Sequence, residues 1–267
     1  MSRIITLTSD FGNRDAYVAT MKGVILSIDP SVRLIDISHE IAAQDVMEAA
    51  FVLQNAAWHF PDGTVHLVVV DPGVGTGRNA LAVELNGQFF VGADNGLFTL
   101  LTSSNGESWP GRAVLLDRPE YWYTREPSST FHGRDIFAAV AAHLASGRRL
   151  DDVGTPTKNV MRLRWATPFA DDKGLQGWIV QVDHYGNCIT NISRGVYHTY
   201  DRKRSPKCYV GTTILEGLCS TYDEAIAGEP ILLFGSSGYL EVAINRGNAA
   251  RLLSIRKGDP INIVFSE

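Results

Sequence analysis

A run of β-branched residues that ends on a carboxylate constrains this chain more than any other feature. Residues 68–70 are all valine, Asp71 follows them, and a turn with three glycines then leads to Arg78. Such a run is typical of a strand that is buried on both faces, as in parallel sheets. Open sheets of this kind bind ligands at the carboxyl ends of their strands. We therefore expect Asp71 and Arg78 to lie in a functional site.

Strand-like and helix-like segments alternate up to about residue 150. Residues 4–8 have a short apolar strand pattern, and residues 15–28 repeat apolar side chains at helical spacing. Asp45 lies three residues before Glu48, which is the spacing of a helix cap. Asn86-Gly87 is typical of a two-residue hairpin turn. The pattern predicts an α/β domain with a mainly parallel central sheet, into which one hairpin is inserted.

Beyond Pro168 the pattern changes to short strand-like segments that are separated by polar turns. Helical periodicity is nearly absent from this part of the chain, which predicts a smaller all-β domain, either a barrel or a sandwich. We place the linker near residues 150–172. The predicted domains are an α/β domain over residues 1–165 and a β-barrel domain over residues 173–267.

Charge and cysteine content argue against several classes of protein. A net charge of -5 gives no electrostatic reason to expect a nucleic acid or an acidic membrane as partner. The three cysteines, Cys188, Cys208 and Cys219, do not have the short spacing of a zinc site, so we expect reduced thiols and no metal. The sequence shows no signal-peptide pattern and no apolar run of about 18 residues. We expect a cytoplasmic protein.

Three loops of the first domain carry polar side chains where its sheet is expected to open. They contain Asp10, the turn from Asp71 to Arg78, and His132 in front of a helix. An aspartate, an arginine and a histidine that meet in space can orient and polarise a water molecule. Each residue also has an ordinary structural explanation. Asp10 is equally consistent with a helix cap, Asp71 with a turn, Arg78 with an exposed surface and His132 with an N-cap or a core histidine.

Two segments of the second domain suit a small polar ligand. Asp183 and Asn187 are residue types that recognise an ammonium group and a polar heterocycle, and they are also typical of a β-turn. The turn at residues 235–240 offers hydroxyls and backbone N–H groups to a carboxylate, although a plain hairpin turn explains it equally well. These residues predict a binding site but no particular reaction.

Taken together, six segments in order resemble one protein family. They are Thr8-Ser9-Asp10-Phe11-Gly12, Asp71-Pro72-Gly73-Val74-Gly75 with Arg78, Ala93-Asp94-Asn95-Gly96, Thr130-Phe131-His132-Gly133-Arg134-Asp135, Asp183 through Asn187 to Ile192, and Ser236-Ser237-Gly238-Tyr239-Leu240. They resemble the S-adenosylmethionine hydroxide adenosyltransferases, which are adenosine-forming hydrolases related to the fluorinating and chlorinating enzymes. The matches extend from residue 8 to about residue 250 and cover both predicted domains.

The resemblance implies an N-terminal α/β domain, a C-terminal β-barrel and a homotrimer whose substrate lies between neighbouring subunits. It implies attack of water or hydroxide on the ribose 5′ carbon of S-adenosylmethionine, which releases methionine and leaves adenosine. No cofactor and no metal are implied. The family's catalytic triad falls on Asp71, Arg78 and His132.

The resemblance also implies a set of substrate contacts. Asp10 matches the carboxylate that holds the ribose diol, Asp183 the group that faces the methionine ammonium, and Asn187 an adenine contact. Ser236 and Ser237, followed by Tyr239, match the region that holds the methionine carboxylate, and Ala249 matches a backbone contact to adenine. Asp15 and Tyr17 are expected near the ligand.

The triad separates this chain from the halogenating relatives. Those enzymes have tyrosine or another residue at the position of Asp71 and lack the histidine found here at His132, so hydroxide is favoured over halide as the nucleophile. Ser237 stands where the fluorinating relatives carry an arginine, so carboxylate binding here relies on hydroxyls and backbone N–H groups. The alternatives are a halide transferase that uses S-adenosylmethionine and a non-catalytic sensor of adenosine or S-adenosylmethionine.

Overall fold

The computed structural model folds into two compact units, Met1–Leu163 and Arg164–Glu267, called here the N-terminal and the C-terminal unit. The structure describes residues 3–102, 109–163, 166–171, 174–201 and 204–265. The predicted domain limits at residues 1, 165, 173 and 267 lie outside these described residues.

A seven-stranded sheet forms the centre of the N-terminal unit. Its strands are β1 (Ile4–Ser9), β2 (Arg33–Ser38), β3 (Val65–Val69), β4 (Ala80–Leu85), β5 (Gln88–Ala93), β6 (Arg112–Leu115) and β7 (Thr155–Thr157). They lie in the order β2-β1-β3-β5-β4-β6-β7. The pairs β2–β1, β1–β3 and β3–β5 are parallel, whereas β5–β4, β4–β6 and β6–β7 are antiparallel.

The sheet is therefore mixed, and the prediction of a mainly parallel sheet is only partly right. The predicted hairpin between β4 and β5 is the cause of the antiparallel pairing. Asn86 and Gly87 both have a positive φ, 49° and 76°, as a tight hairpin turn requires. This turn sends the chain from β4 straight back into β5, and the strands beyond β4 continue the antiparallel pairing.

Helices cover both faces of this sheet. They are α1 (Tyr17–Ile28), α2 (Val46–Ala57) and α3 (Ala138–Ala145). Leu67 and Val69 of β3 belong to the same core cluster as α1 and α3, whereas Val68 and the following Val70 belong to the cluster that contains α2. The valine run is thus buried on both faces, as the sequence predicts. Asp45 caps α2, because its Oδ1 accepts a hydrogen bond of 3.0 Å from the Glu48 N–H.

The register of β1 and β3 brings two carboxylates to one edge of the sheet. Ser9, the last residue of β1, lies opposite Val69, the last residue of β3. Asp10 follows β1 directly, and Asp71 lies two residues beyond β3. Because the two strands are parallel, both aspartates leave the same edge of the sheet, where ligands bind in open α/β sheets.

His66 is the second residue of β3 and is fully buried. Its Nδ1 lies 2.7 Å from Thr6 Oγ1, and its Nε2 lies 3.0 Å from Gln88 Oε1. Burial lowers the pKa of His66 from 6.5 to about 4, although the hydrogen bond to Gln88 partly opposes the shift. The folded chain therefore holds this histidine neutral at pH values where an unfolded chain protonates it.

We expect the N-terminal unit to lose stability as the pH falls from about 6.5 to about 4. The unfolded state binds the extra proton and the folded state does not, so this histidine alone accounts for about 3 kcal/mol of the loss. Denaturant titrations at several pH values should show a smaller loss for His66→Gln than for the wild type. A His66 imidazole that titrates near pH 6.5 by NMR contradicts the prediction.

An antiparallel sheet forms the C-terminal unit. Its strands are β8 (Phe169–Ala170), β9 (Gly174–Val182), β10 (Cys188–Ser193), β11 (Pro206–Val210), β12 (Thr213–Glu216), β13 (Pro230–Phe234), β14 (Tyr239–Ile244) and β15 (Pro260–Phe265). They lie in the order β12-β11-β15-β9-β10-β14-β13, and β8 pairs with β9. The segment that follows the end strand β12 reaches the other end strand, β13, since the Cys219 N–H donates to the Leu232 carbonyl at 2.8 Å. The sheet is thus a nearly closed barrel.

The C-terminal unit also contains two short helices, α4 (Arg194–Tyr200) and α5 (Ala249–Leu252), which the prediction of an all-β domain missed. The Ser193 hydroxyl caps α4 by accepting a hydrogen bond of 3.3 Å from the Val196 N–H. Tyr197 of α4 is 2% exposed and packs in the barrel core. A helix of seven residues is too short to produce a clear helical repeat in the sequence.

Candidate active site

Asp71 and Arg78 form a buried ion pair at the edge where β3 ends. Arg78 Nε donates to Asp71 Oδ1 at 2.9 Å, and Arg78 Nη2 donates to Asp71 Oδ2. The Asp71 side chain is 6% exposed and the Arg78 side chain is 10% exposed. Two parallel hydrogen bonds to one carboxylate fix the plane of the guanidinium. Arg78 is therefore not a surface arginine, and Asp71 has more than a turn-forming role.

Gly75 explains how this turn reaches the loop that carries His132. It has a φ of +76°, and a Cβ at this position would lie 2.1 Å from the Ser129 carbonyl oxygen. Only glycine adopts this backbone conformation readily and permits so close an approach. The turn therefore lies directly against residue 129, three residues before His132.

His132 completes the cluster. Arg78 Nη2 lies 2.9 Å from His132 Nδ1. A guanidinium has only donors, so Nδ1 must accept this hydrogen bond, and the proton of the neutral imidazole is on Nε2. Burial and the Arg78 charge lower the pKa of His132, while Asp71 and Asp135 oppose the shift. The network therefore holds a neutral His132 whose Nε2–H is a hydrogen-bond donor.

Phe137 packs against Arg78 of this cluster, and Asp135 holds the loop that carries His132. The Phe137 ring lies 5.3 Å from the centre of the Arg78 guanidinium, in cation–π contact. Asp135 is 1% exposed, and its carboxylate accepts hydrogen bonds from the Ser128 N–H and from Arg134. Asp135 therefore fixes the loop in front of His132.

Asp10 lies in the turn after β1. Its Oδ2 accepts a hydrogen bond of 2.8 Å from the Gln44 N–H, so it binds another loop and does not cap α1. Asp15 is exposed, and Tyr17 is 48% exposed. The Tyr17 ring packs against Phe11 and Phe131, with ring centres 5.2 and 5.3 Å away. These aromatic contacts connect the Asp10 turn with the loop of His132.

Asp94 and Asn95, which also belong to the six segments, have structural roles in this unit. Asn95 Nδ2 donates to the Val70 carbonyl at 2.9 Å and so fixes the chain next to Asp71. Asp94 Oδ1 accepts a hydrogen bond of 2.7 Å from the Met161 N–H. Both residues directly follow β5, and their hydrogen bonds fix the backbone at the edge of the sheet where Asp71 lies.

In the C-terminal unit, Asp183 and Asn187 form a tight turn. Asp183 Oδ1 accepts hydrogen bonds from the Tyr185 and Asn187 N–H groups at 2.9 and 2.8 Å, and Asp183 Oδ2 accepts one from Asn187 Nδ2 at 2.9 Å. Ala249 lies next to this turn, since the Ala250 N–H donates to the Gly186 carbonyl at 2.9 Å. The β-turn explanation is therefore correct, and it does not conflict with ligand binding because a carboxylate has further lone pairs.

Ser236 and Ser237 lie in the turn between β13 and β14, and Tyr239 is the first residue of β14. The Gly238 N–H donates to the Gly235 carbonyl at 3.0 Å, and the Gly235 N–H donates to the Tyr239 carbonyl at the same distance. Ser236 is exposed, whereas Ser237 and Tyr239 are partly buried. The segment is thus a hairpin turn, and it exposes the Ser236 hydroxyl to solvent.

Sequence reasoning missed one buried acidic group beside these turns. Glu241 of β14 is 4% exposed, and its carboxylate accepts a hydrogen bond from the Tyr222 hydroxyl. Burial raises the pKa of Glu241, and the nearby Asp183 charge raises it further, against the hydrogen bond from Tyr222. The signal in the sequence is a single charged residue within an apolar strand.

The described residues contain no group of three or more His, Cys, Asp or Glu side chains arranged to hold a metal ion. No helix in the same ranges is long and apolar enough to span a membrane.

Comparison with known proteins gives matches over most of the chain. Residues 5–154 match a model of the SAM hydroxide adenosyltransferase N-terminal domain, and residues 177–262 match the C-terminal domain of the same family. The chain is 37% identical to the (R)-S-adenosyl-L-methionine hydrolase of Thermus thermophilus, covering 98% of this chain and 100% of that protein. It is 28% identical to the fluorinase of an Actinoplanes species, with 97% of both chains covered.

A solved structure has the same fold. The crystal structure of an uncharacterized conserved protein from Thermotoga maritima matches with a TM-score of 0.87 and 36% sequence identity. The match covers 98% of this chain and 99% of that one.

Proposed function

Because the chain belongs to the SAM hydroxide adenosyltransferase family, we propose that it hydrolyses S-adenosyl-L-methionine to adenosine and L-methionine. The cluster of Asp71, Arg78 and His132 carries this proposal, because it joins a fixed cation, a carboxylate and an imidazole in one hydrogen-bonded network. These groups suit a water molecule that must become a nucleophile.

The reaction needs activation of the nucleophile more than of the leaving group. Water attacks the ribose 5′ carbon, the new C–O bond forms, and the C–S bond breaks with its electron pair going to sulfur. The sulfonium thus becomes the neutral thioether of methionine, and no acid has to protonate it. The water loses one proton, so groups that stabilise hydroxide and accept that proton lower the barrier.

The hydrogen bonds divide these tasks among the three residues. Arg78 stabilises negative charge that develops on the attacking oxygen. His132 already carries its proton on Nε2 while Nδ1 is bonded to Arg78, so it orients the water as a donor. Asp71 retains lone pairs beyond the two that Arg78 uses and is the acceptor for the water proton.

The remaining predicted residues are proposed to hold the substrate. Asp10 binds the ribose diol, with Asp15 and Tyr17 nearby. Asp183 faces the methionine ammonium, Asn187 and the Ala249 backbone contact adenine, and the turn of Ser236, Ser237 and Tyr239 binds the methionine carboxylate. No metal or cofactor takes part in this proposal.

We further propose a cytoplasmic homotrimer in which the N-terminal unit of one subunit and the C-terminal unit of the next share a substrate. Light scattering after size-exclusion chromatography tests this assembly. A monomer at assay concentration that is fully active contradicts it.

Halide transfer is the second candidate, because a fluorinase is among the relatives. The Asp71 carboxylate argues against it, because a carboxylate can accept a proton from water but has no hydrogen to donate to a halide. The (R)-S-adenosyl-L-methionine hydrolase is also the more similar of the two relatives. A sensor without turnover would not need the water-activating cluster.

Product analysis tests the proposed function. Incubation with S-adenosylmethionine in ¹⁸O-labelled water is expected to give adenosine and methionine in equal amounts, with the label in the 5′ hydroxyl. Added chloride should yield no 5′-chloroadenosine. Intact substrate, or methylthioadenosine as the product, would contradict the proposal.

A further inference from the structure

We propose that His39 is a positioning residue that holds the Asp10 turn in the conformation that binds the ribose. This inference rests on the proposed function, since it takes Asp10 as the ribose-binding carboxylate. The sequence assigned no role to His39, which follows β2 in the segment Asp36-Ile37-Ser38-His39.

His39 contacts the Asp10 turn on both sides of the aspartate. Its Nδ1 lies 2.7 Å from the hydroxyl of Ser9, the residue before Asp10. Its backbone carbonyl accepts a hydrogen bond of 2.8 Å from the Gly12 N–H, two residues after Asp10. His39 is 3% exposed and Ser9 is fully buried, so water does not compete for the contact between their side chains.

The far side of the imidazole lies close to a carboxylate but makes no hydrogen bond of good geometry with it. His39 Nε2 lies 3.1 Å from Asp36 Oδ1, and Asp36 Oδ2 lies 2.6 Å from Lys22 Nζ on α1. Burial raises the pKa of the Asp36 carboxyl, but Lys22 and His39 outweigh it and keep the pKa below its usual range. The nearby negative charge of Asp36 favours the tautomer with the proton on Nε2, and in that tautomer Nδ1 accepts the hydrogen bond from the Ser9 hydroxyl.

The segment that carries His39 also contacts Asp10 itself. The Gln44 N–H donates to Asp10 Oδ2, and Asn13 Nδ2 donates to Glu40 Oε1 at 3.2 Å. Three residues, His39, Glu40 and Gln44, therefore hold the turn at residues 9–13, and the side-chain contact of His39 is the buried one among them. The exposed contacts cannot substitute for it, because solvent weakens them.

Loss of the imidazole would leave the Ser9 hydroxyl buried without an acceptor. Such a group costs free energy until the chain moves to satisfy it, and the movement displaces Asp10. A displacement of this turn also changes the packing of Phe11 against Phe131, whose ring centre is 5.6 Å away and which precedes His132. The main effect should nevertheless be on ribose binding, since Asp10 is next to the lost contact.

Two conservative variants separate the two sides of the imidazole. Asparagine places its amide oxygen near the position of Nδ1, whereas glutamine reaches toward the position of Nε2. We expect His39→Gln to raise the KM for S-adenosylmethionine and the Kd for adenosine by about tenfold, the effect of one lost buried hydrogen bond. His39→Asn should stay within about threefold of the wild type, and kcat should change less than KM in both variants.

Ser9→Ala and His59→Gln are the controls. Ser9→Ala removes the other partner and should reproduce His39→Gln, whereas His59 is exposed at the end of α2 and its replacement should change nothing. A purely structural His39 predicts instead that Asn and Gln lower the melting temperature equally and leave the adenosine Kd of the folded protein unchanged. That result overturns the proposal.

Amide hydrogen exchange separates this inference from the proposed function. If the wild type forms no adenosine from S-adenosylmethionine, the proposed function fails. If the wild type is active and the Gly12 and Gln44 amides exchange equally fast in wild type and His39→Gln, only the positioning role fails. Faster exchange at both amides in His39→Gln, together with the tenfold loss in adenosine affinity, supports it.

Discussion

Replacing Arg78 with glutamine is expected to lower kcat for S-adenosylmethionine hydrolysis by about 100- to 1,000-fold, the cost of removing one preorganised group that stabilises developing charge. Adenosine affinity should change by less than about threefold, because Arg78 acts on the attacking water and not on the nucleoside. Steady-state kinetics and calorimetric adenosine binding measure the two effects. Equal losses in turnover and in adenosine affinity would make Arg78 a binding group.

The controls for this variant address charge and folding. Arg112→Gln makes the same chemical change at a side chain that is 56% exposed and pairs with Glu84 and Asp151, and it should leave kcat unchanged. Arg78→Gln alone leaves the Asp71 carboxylate buried without its cation, which is destabilising. The double variant Asp71→Asn/Arg78→Gln removes that charge. We expect it to recover stability and to remain slow, whereas a purely structural ion pair predicts recovery of both.

Gly75→Ala is expected to lower kcat by about 100-fold, since misplacement of a catalytic group by about 1 Å can cost this much. Alanine is strained at a φ of +76°, and its Cβ would lie 2.1 Å from the Ser129 carbonyl oxygen. The turn must therefore move away from the loop of His132. This separates Arg78 from His132 and leaves the Asp71–Arg78 pair, which lies within the turn, largely intact.

Gly77→Ala is the matched control for this change. Gly77 lies in the same turn, and a Cβ added there would meet no atom within 4 Å. Its kcat should stay within about threefold of the wild type, as for surface substitutions in general. If both alanine variants are equally slow, flexibility of the turn determines the rate, and its close contact with Ser129 does not.

Sequence reasoning found polar residues that come just after a buried strand. Asp71 follows a valine run that only a doubly buried strand explains, and Asp10 follows the strand next to it. The Asp45 cap of α2 and the hairpin turn were also predictable, because local hydrogen bonds and backbone angles determine them.

What was missed depends on contacts between distant parts of the chain. The sequence does not show that Gly75 lies against Ser129, or that His39 is next to Ser9, because neither contact has a local pattern. The antiparallel part of the N-terminal sheet was missed for a related reason. The hairpin itself was recognised, but the pairing of β4 with β6 joins segments that are far apart in sequence.

The helical turn that follows His132 has a consequence for insertions and deletions. Gly133–Phe137 forms a π-helical turn in which the Ala138 N–H donates to the Gly133 carbonyl, and α3 continues from it. Such a turn contains one residue more than an α-helical turn. Removing one residue would restore a regular helix and rotate everything before it by about 100° around the helix axis. α3 would keep its buried face, but His132 would turn away from Arg78, so a single deletion in this turn would dismantle the catalytic cluster without unfolding the domain.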